Sequence, residues 1–135
     1  MDIVKIDTSK AAAPSGWYSQ AFKVGDLIFC SGVVANDPCT QELVAPGDIM
    51  GQTEQILKNL EQILLAAGSD LSRVVKVQAF VKDIDEFDRF NEVYKRYFPT
   101  DPPARSTFQI GKFLGDVVVE IEAVAVAFDV QDRLR

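Results

Sequence analysis

The chain has 135 residues, 47% of them hydrophobic and 25% charged, which is the size and composition of one folded domain and excludes a largely disordered chain. A net charge of −6 disfavours a nucleic-acid-binding protein, which needs clustered Lys and Arg to replace phosphate counterions. Histidine is absent, which excludes the Ser-His-Asp triad, most zinc sites and the commonest general base.

Membrane and secretory signals are also missing from the sequence. No run approaches the roughly 18 apolar residues of a membrane span, and residues 1–10 lack the apolar core of a secretory signal. Cys30 and Cys39 do not form a CxxC motif, and two thiols make a poor disulfide scaffold. We therefore expect a cytoplasmic protein without membrane or nucleic-acid partners.

The first half of the chain predicts a hairpin followed by a helix. Residues 18–24 and 27–31 resemble short strands around a tight turn at Gly25-Asp26. Apolar residues then recur at helical spacing from Ile49 to Ala67, with Asp48 suited to cap the start of the helix and Gly68 its end.

A strand and a second helix follow. Residues 74–82 alternate with a period of two, which predicts one buried face; its members are Val75, Val77, Ala79 and Val81. The second helix is expected to start at Asp83 or Asp85 and carries an aromatic stripe, which we interpret as core rather than as a cofactor-binding surface. The stripe consists of Ile84, Phe87, Phe90, Tyr94, Tyr97 and Phe98.

The remaining elements are two strands, residues 106–110 and 117–128, joined by a turn at 111–115. Strands and helices alternate only in part, which predicts an α+β fold. Both faces of the last strand are largely apolar, so neither is suited to open water. Two helices would cover one face, and the other is expected to pack against a second copy of the chain.

Two carboxylates interrupt the apolar pattern of the last strand. Glu120 and Glu122 lie on one face about 6.5 to 7 Å apart, and buried carboxylates are costly unless they are paired or used. One interpretation is an ion pair with a Lys or Arg of a neighbouring strand or subunit. The other is a general acid or base with a raised pKa.

Three further residues are candidates for a site. Arg105 follows a stiff proline segment and precedes a strand, where its guanidinium can bind a substrate carboxylate or an interface glutamate. Asn91 lies beside the aromatic stripe and needs hydrogen-bond partners, from a loop or from a substrate site. Cys30 next to Ser31 resembles a nucleophile, but without histidine to activate it a buried core thiol is favoured.

The sequence resembles the Rid family, the YjgF-like reactive-intermediate (imine) deaminases, along nearly its whole length. The resemblance rests on these runs: Tyr18, Cys30-Ser31-Gly32, Asn59-Leu60, Ala67-Gly68, Phe80-Val81-Lys82-Asp83, Phe90-Asn91-Glu92-Val93-Tyr94, Pro103-Ala104-Arg105-Ser106-Thr107-Phe108 and the strand from Val118 to Val126. It departs from the common pattern at Thr107, where cysteine is frequent, and at Trp17, where proline is frequent.

The resemblance implies one Rid-like domain over residues 1–135 with a chorismate-mutase-like α+β fold, in which a mixed sheet of about six strands carries two helices on one face. It also implies a homotrimer with clefts between subunits. The implied activity is hydrolysis of 2-imino or enamine acids to 2-keto acids and ammonia without a cofactor or metal, a task in metabolite damage control.

Site residues follow from the same resemblance by matching positions. Arg105 would bind the substrate carboxylate and Glu120 would position or activate the attacking water. Tyr18, Ser31 and Asn91 would line or support the cleft, and the backbone around Thr107 would touch the bound acid. Because threonine lacks a thiol, chemistry or regulation that needs a thiol at position 107 is not expected.

The resemblance leaves other functions open. A pathway-specific Rid deaminase acting on aminomuconate or aminoacrylate is the nearest alternative. A non-catalytic protein that binds small acids would use the same cleft without turnover. A ribonuclease or translation inhibitor is disfavoured by the acidic charge and the lack of histidine.

Overall fold

The computed structural model describes residues 1–129, so residues 130–135 of the predicted domain lie outside the described part. Within residues 1–129, six strands form one mixed sheet in the order β1-β2-β3-β6-β4-β5. The strands are β1 (Ile3–Ile6), β2 (Ala21–Val24), β3 (Leu27–Cys30), β4 (Val74–Val81), β5 (Ala104–Gln109) and β6 (Val119–Val126). The helices are α1 (Ile49–Ala66) and α2 (Phe87–Tyr97).

Both helices lie on the same face of the sheet, as the topology requires. Strands β3 and β4 are each antiparallel to β6 and therefore parallel to each other, and β4 is parallel to β5. Helix α1 lies in the connection from β3 to β4, and helix α2 lies in the connection from β4 to β5. Both connections therefore move across the sheet in the same direction. Because such crossovers are right-handed, both helices pack on one face, where they contact each other. The α+β prediction is confirmed.

Helix α1 begins and ends where the sequence predicts. The Asp48 carboxylate accepts hydrogen bonds from the backbone N–H groups of Met50 and Gly51, each at 3.3 Å, and so satisfies groups without an intrahelical partner. Gly68 adopts a φ of +81° just after the helix, which turns the chain back toward the sheet. The apolar face of α1 is fully buried in the core.

Helix α2 starts slightly later than predicted. Asp83 accepts a hydrogen bond from the backbone N–H of Asp85 and caps a short 3₁₀ turn, Ile84–Glu86, that leads into α2. Three members of the aromatic stripe are buried in the core as expected, and Tyr97 packs against that core; the buried members are Phe90, Tyr94 and Phe98. The prediction is wrong at Ile84, which lies in the 3₁₀ turn and is 39% exposed.

The hairpin is confirmed at Gly25, which has a φ of +58°, but two early boundaries differ from prediction. Strand β2 begins at Ala21, so Tyr18 lies in the preceding loop rather than in a strand. Strand β1 was not predicted, because its four residues are mostly exposed and show no burial pattern. It is held by pairing with β2.

The predicted buried face of β4 is wrong at Val75. Its side chain is 48% exposed, whereas Val77, Ala79 and Val81 are buried. The register shifts between Val74 and Lys76 where β4 pairs with β6. This bulge places two residues opposite one, so the alternation of faces slips.

The last two strands differ from prediction mainly at their ends. Strand β5 already includes Arg105, which therefore lies in the strand and not before it. Strand β6 is shorter than residues 117–128. Its helix-side residues are buried, as predicted, while apolar side chains remain accessible on the other face of the sheet, among them Phe22, Leu27, Phe29, Val124 and Val126. In residues 1–129 no helix is long and apolar enough to cross a membrane.

Candidate functional site

An open cleft of about 830 Å³ lies on the helix-free face of the sheet, where β6 begins. Its walls come from the loop before β2, the segment after β3 and the loop between β5 and β6. The cleft brings together three of the predicted site residues: Tyr18, Ser31 and Glu120. Arg105, Asn91 and Thr107 do not line it.

Glu120 is a carboxylic acid of this cleft with a shifted pKa. Burial raises the pKa of its carboxyl above the ordinary value, and the nearby Glu122 raises it further. Both effects disfavour the charged form, as expected for a carboxylate removed from water beside a second one. The Glu120 carboxyl can therefore exchange a proton closer to neutral pH than an exposed glutamate.

Ser31 and Tyr18 are held in place by local hydrogen bonds. The Ser31 hydroxyl donates to the backbone carbonyl of Ser19 at 2.6 Å, so toward the cleft Ser31 offers only acceptor lone pairs. The Tyr18 hydroxyl accepts from the backbone N–H of Ser15 at 3.1 Å. The neighbouring Trp17 is fully exposed.

Gln52 of α1 fixes the wall of the cleft that leads into β6. Its buried amide nitrogen donates to the carbonyls of Ala45 and Asp116, at 3.1 and 2.9 Å. Its amide oxygen accepts from the backbone N–H of Val118 at 2.9 Å. The helix thereby holds the chain two residues before Glu120.

Two other buried amides hold the remaining walls. Gln20 exchanges hydrogen bonds with the backbone of Thr8 and donates to the carbonyl of Ala12. Asn59 donates to the carbonyl of Asn36 at 2.9 Å. None of the three amides was identified as a site support from sequence. The available signals were a polar residue on the apolar face of α1, for Gln52 and Asn59, and the place of Asn59 in the resemblance to the Rid family.

Arg105 packs against the aromatic stripe of α2. The carbon centre of its guanidinium lies 4.5 Å from the ring centroid of Tyr94, 5.3 Å from that of Phe90 and 5.4 Å from that of Phe87. Such cation-aromatic contacts restrain a long side chain that would otherwise sample many rotamers. The pKa of Tyr94 is raised by burial and partly lowered again by Arg105.

Thr107 and Asn91 lie near the same end of the structure as Arg105. Thr107 is two residues along β5 and therefore on the same face, and its hydroxyl oxygen is buried without a hydrogen-bond partner in residues 1–129. Asn91 is half-buried on α2, at helical spacing from Phe87 and Tyr94 as predicted.

Arg105 and Glu120 point to opposite faces of the sheet. Arg105 pairs with Val77 of β4, which is buried beneath the helices. Glu120 pairs with Phe80, three residues further along β4 and hence on the other face. An ion pair between Arg105 and Glu120 of the same chain is therefore excluded. An ion pair between Arg105 of one chain and Glu120 of another stays a prediction.

Cys30 is a core residue rather than a nucleophile. Its side chain is 8% exposed, and burial raises the pKa of the thiol to about 12. The thiol therefore stays protonated and unreactive. No cluster of three or more metal-ligating side chains lies within residues 1–129.

The loop between β5 and β6 is a wall of the cleft that the sequence analysis did not predict. It contributes Lys112, Phe113 and Leu114 to the lining, and Leu114 is 90% exposed. The available signal was two adjacent apolar residues inside a predicted turn between Gly111 and Gly115.

The comparisons with known proteins agree with this architecture. Residues 8–127 match the family described as Endoribonuclease L-PSP, whose members are also called YjgF-like or Rid proteins. The chain belongs to this Rid family.

Its relatives match over most of both chains. A RutC family protein of Pyrococcus abyssi is 45% identical over 120 residues, which cover 89% of this chain and 94% of the relative. The 2-iminobutanoate/2-iminopropanoate deaminase of Rattus norvegicus is 45% identical over 121 residues, 90% and 88% of the two chains. The crystal structure of E. coli TdcF with bound serine has a TM-score of 0.86 and 34% identity, and the match covers 93% and 100% of the two chains.

Proposed function

We propose that the chain is a deaminase that hydrolyses short 2-imino acids, of the 2-iminobutanoate and 2-iminopropanoate type, to 2-keto acids and ammonium. The observation that carries the proposal is the Glu120 carboxyl, which is half-buried in an open cleft and has a raised pKa. The activity for which the rat relative is named supports it. A protonated imine is already electrophilic, so orientation and a placed water are the main requirements, and no cofactor is needed.

Glu120 carries the proton transfers in this proposal. It takes a proton from water while the water oxygen bonds to the imine carbon, and the π electrons of the C=N bond move to nitrogen. Glu120 then returns the proton to nitrogen, and the C–N bond breaks. The hydroxyl proton passes to the departing ammonia, which leaves a ketone and ammonium.

Arg105 is the proposed anchor for the substrate carboxylate. A bidentate guanidinium–carboxylate pair in a sheltered site contributes about 1.5 to 3 kcal/mol, and the aromatic rings around Arg105 restrain its side chain in advance. The backbone and the unpartnered hydroxyl of Thr107 are suited to contact the same acid group. In this proposal Tyr18, Ser31 and Asn91 line or support the pocket.

The site is proposed to form between copies of the chain in a homotrimer. Arg105 and Glu120 face opposite sides of the sheet, so both can act on one substrate only if they come from different copies. The accessible apolar side chains on the helix-free face, such as Phe29 and Val124, also favour a covered surface.

The Arg105→Ala variant tests the assignment. We expect kcat/KM for freshly generated 2-iminobutanoate, followed by ammonia release, to fall by about tenfold to 150-fold, because the carboxylate loses its charged partner. Arg96→Ala, on the exposed side of α2, is the matched control. Unchanged activity in Arg105→Ala contradicts the assignment. If the wild type binds a 2-keto acid tightly but releases no ammonia from the imino acid, the chain is a non-catalytic binding protein.

RNA cleavage, to which the family description refers, is the less favoured activity. The net charge of −6 opposes binding to a phosphate backbone, and the chain has no histidine to act as a general base. Cleavage of RNA by a purified sample that is lost in Arg105→Ala would reverse this preference.

A further inference from the structure

Glu120 packs directly against the backbone of Gly32. A Cβ atom added to Gly32 would lie 2.6 Å from Oε2 of Glu120, 2.7 Å from Cδ and 3.1 Å from Cγ. These separations are shorter than an ordinary contact of about 3.5 Å. The space that a side chain would fill at position 32 is therefore occupied by the Glu120 carboxylate.

We propose that Gly32 is a positioning residue for the reaction, because its missing side chain lets the Glu120 carboxylate lie against the wall of the cleft. The proposal rests on the proposed function of Glu120 as the base. It adds a specific requirement: any side chain at position 32 displaces the carboxylate from the point where it meets water and substrate.

The surrounding backbone cannot move away to relieve the contact. Next to Gly32, Val33 donates to the carbonyl of Ile121 at 2.8 Å and accepts from the N–H of Ile121 at 3.1 Å. These two hydrogen bonds join the segment after β3 to β6, and they do so at Ile121, the residue that follows Glu120. An added methyl group therefore displaces the flexible carboxylate rather than the backbone.

The backbone conformation at position 32 does not explain why this residue is a glycine. Gly25, Gly47, Gly68 and Gly115 have positive φ, and Gly32 does not. An alanine at position 32 can thus adopt the same backbone conformation without strain. The requirement for glycine comes from the space taken by Glu120.

Activity measurements on Gly32→Ala test the proposal. We expect kcat to fall by about 100-fold, as for a misplacement of roughly 1 Å at the reacting centre, while KM changes little because Arg105 still binds the carboxylate. In the Glu120→Gln background, the same substitution should cause no further loss of kcat.

Gly111→Ala is the matched control, since nothing lies within 4 Å of its added Cβ and its φ is not positive. Wild-type kcat in Gly32→Ala, or an equal loss in both backgrounds, overturns the proposal.

A second measurement does not depend on deaminase activity. Gly32→Ala is expected to lower the urea midpoint of wild type but not of Glu120→Ala, where the carboxylate no longer occupies the space. An equal loss of stability in both backgrounds contradicts the contact as the cause. If the wild type releases no ammonia while this coupling is present, the proposed function fails and the packing of Glu120 on Gly32 stands.

Discussion

Glu120 and Arg105 are prepared for different tasks by what surrounds them. Glu120 lies beside Gly32 and Glu122 in a partly dehydrated cleft, which favours its neutral form. Arg105 lies over aromatic rings, which reduce the freedom of its side chain. In the proposed function, Glu120 is the proton acceptor and Arg105 is the fixed cation that binds the imino acid.

The Glu122→Gln variant is expected to lower the pKa of Glu120, because the loss of a nearby negative charge favours the ionised form. Glu120 must be ionised to accept a proton, so the acid limb of the kcat/KM profile should move to lower pH. Glu42→Gln, on an exposed loop, makes the same change in net charge and is the control. A carbon-13 NMR titration of Glu120 measures the pKa, and an unchanged value in Glu122→Gln contradicts the prediction.

At the scale of elements, helix α1 organises the cleft without lining it. Its apolar face packs in the core, and two polar residues on the buried side, Gln52 and Asn59, bond to loop backbone. Helix α2 restrains the side chain of Arg105, which lies in β5, through its aromatic rings. Helix α1 therefore fixes loop backbone that would otherwise be mobile, whereas helix α2 fixes a side chain on a strand.

Gln52→Ala is expected to destabilise the chain by about 3 kcal/mol, because the buried N–H of Val118 and two carbonyls lose their partner. Urea denaturation followed by circular dichroism measures the free energy of unfolding. Gln62→Ala, which removes a half-buried amide from the same helix, is the control. Equal effects of the two substitutions would show that the hydrogen bonds of Gln52 contribute little.

At the scale of the whole molecule, the candidate site residues of one chain form two groups on opposite faces of the sheet, which in the proposed function are two halves of one site. One half contains Glu120, Ser31 and Tyr18 on the helix-free face. The other contains Arg105 and Thr107 between β5 and the helices. Assembly of several copies can join the two halves and cover the apolar side chains that face away from the helices.

Subunit mixing tests this arrangement. Arg105→Ala and Glu120→Gln are each expected to retain at most about a tenth of wild-type activity as homo-oligomers. After unfolding and refolding together, about a quarter of the sites should contain both native residues if each site takes one residue from each of two chains. Recovery of about a quarter of wild-type activity supports shared sites, and no recovery from confirmed mixed oligomers contradicts them. Sedimentation equilibrium of the wild type at micromolar concentration supplies the oligomeric state, and a monomer there excludes the shared site.

The sequence by itself determined the class of fold and the chemical character of the site. Capping at Asp48, the turn at Gly68 and the alternation in β6 depend on near neighbours in the chain, so local physics specifies them. The absence of histidine left carboxylates and guanidinium groups as candidates, and the resemblance to the Rid family selected Arg105 and Glu120 among them.

Only the tertiary structure decided how those residues are arranged. The bulge that exposes Val75 and the pairing of β1 arise from register with a strand distant in sequence. The contact of Gly32 with Glu120 arises where two distant segments bridge. The opposite orientation of Arg105 and Glu120 follows from the register in which β5 and β6 pair with β4. Spacing along a chain fixes which face of its own strand a residue occupies, but pairing between strands fixes how the faces align across the sheet.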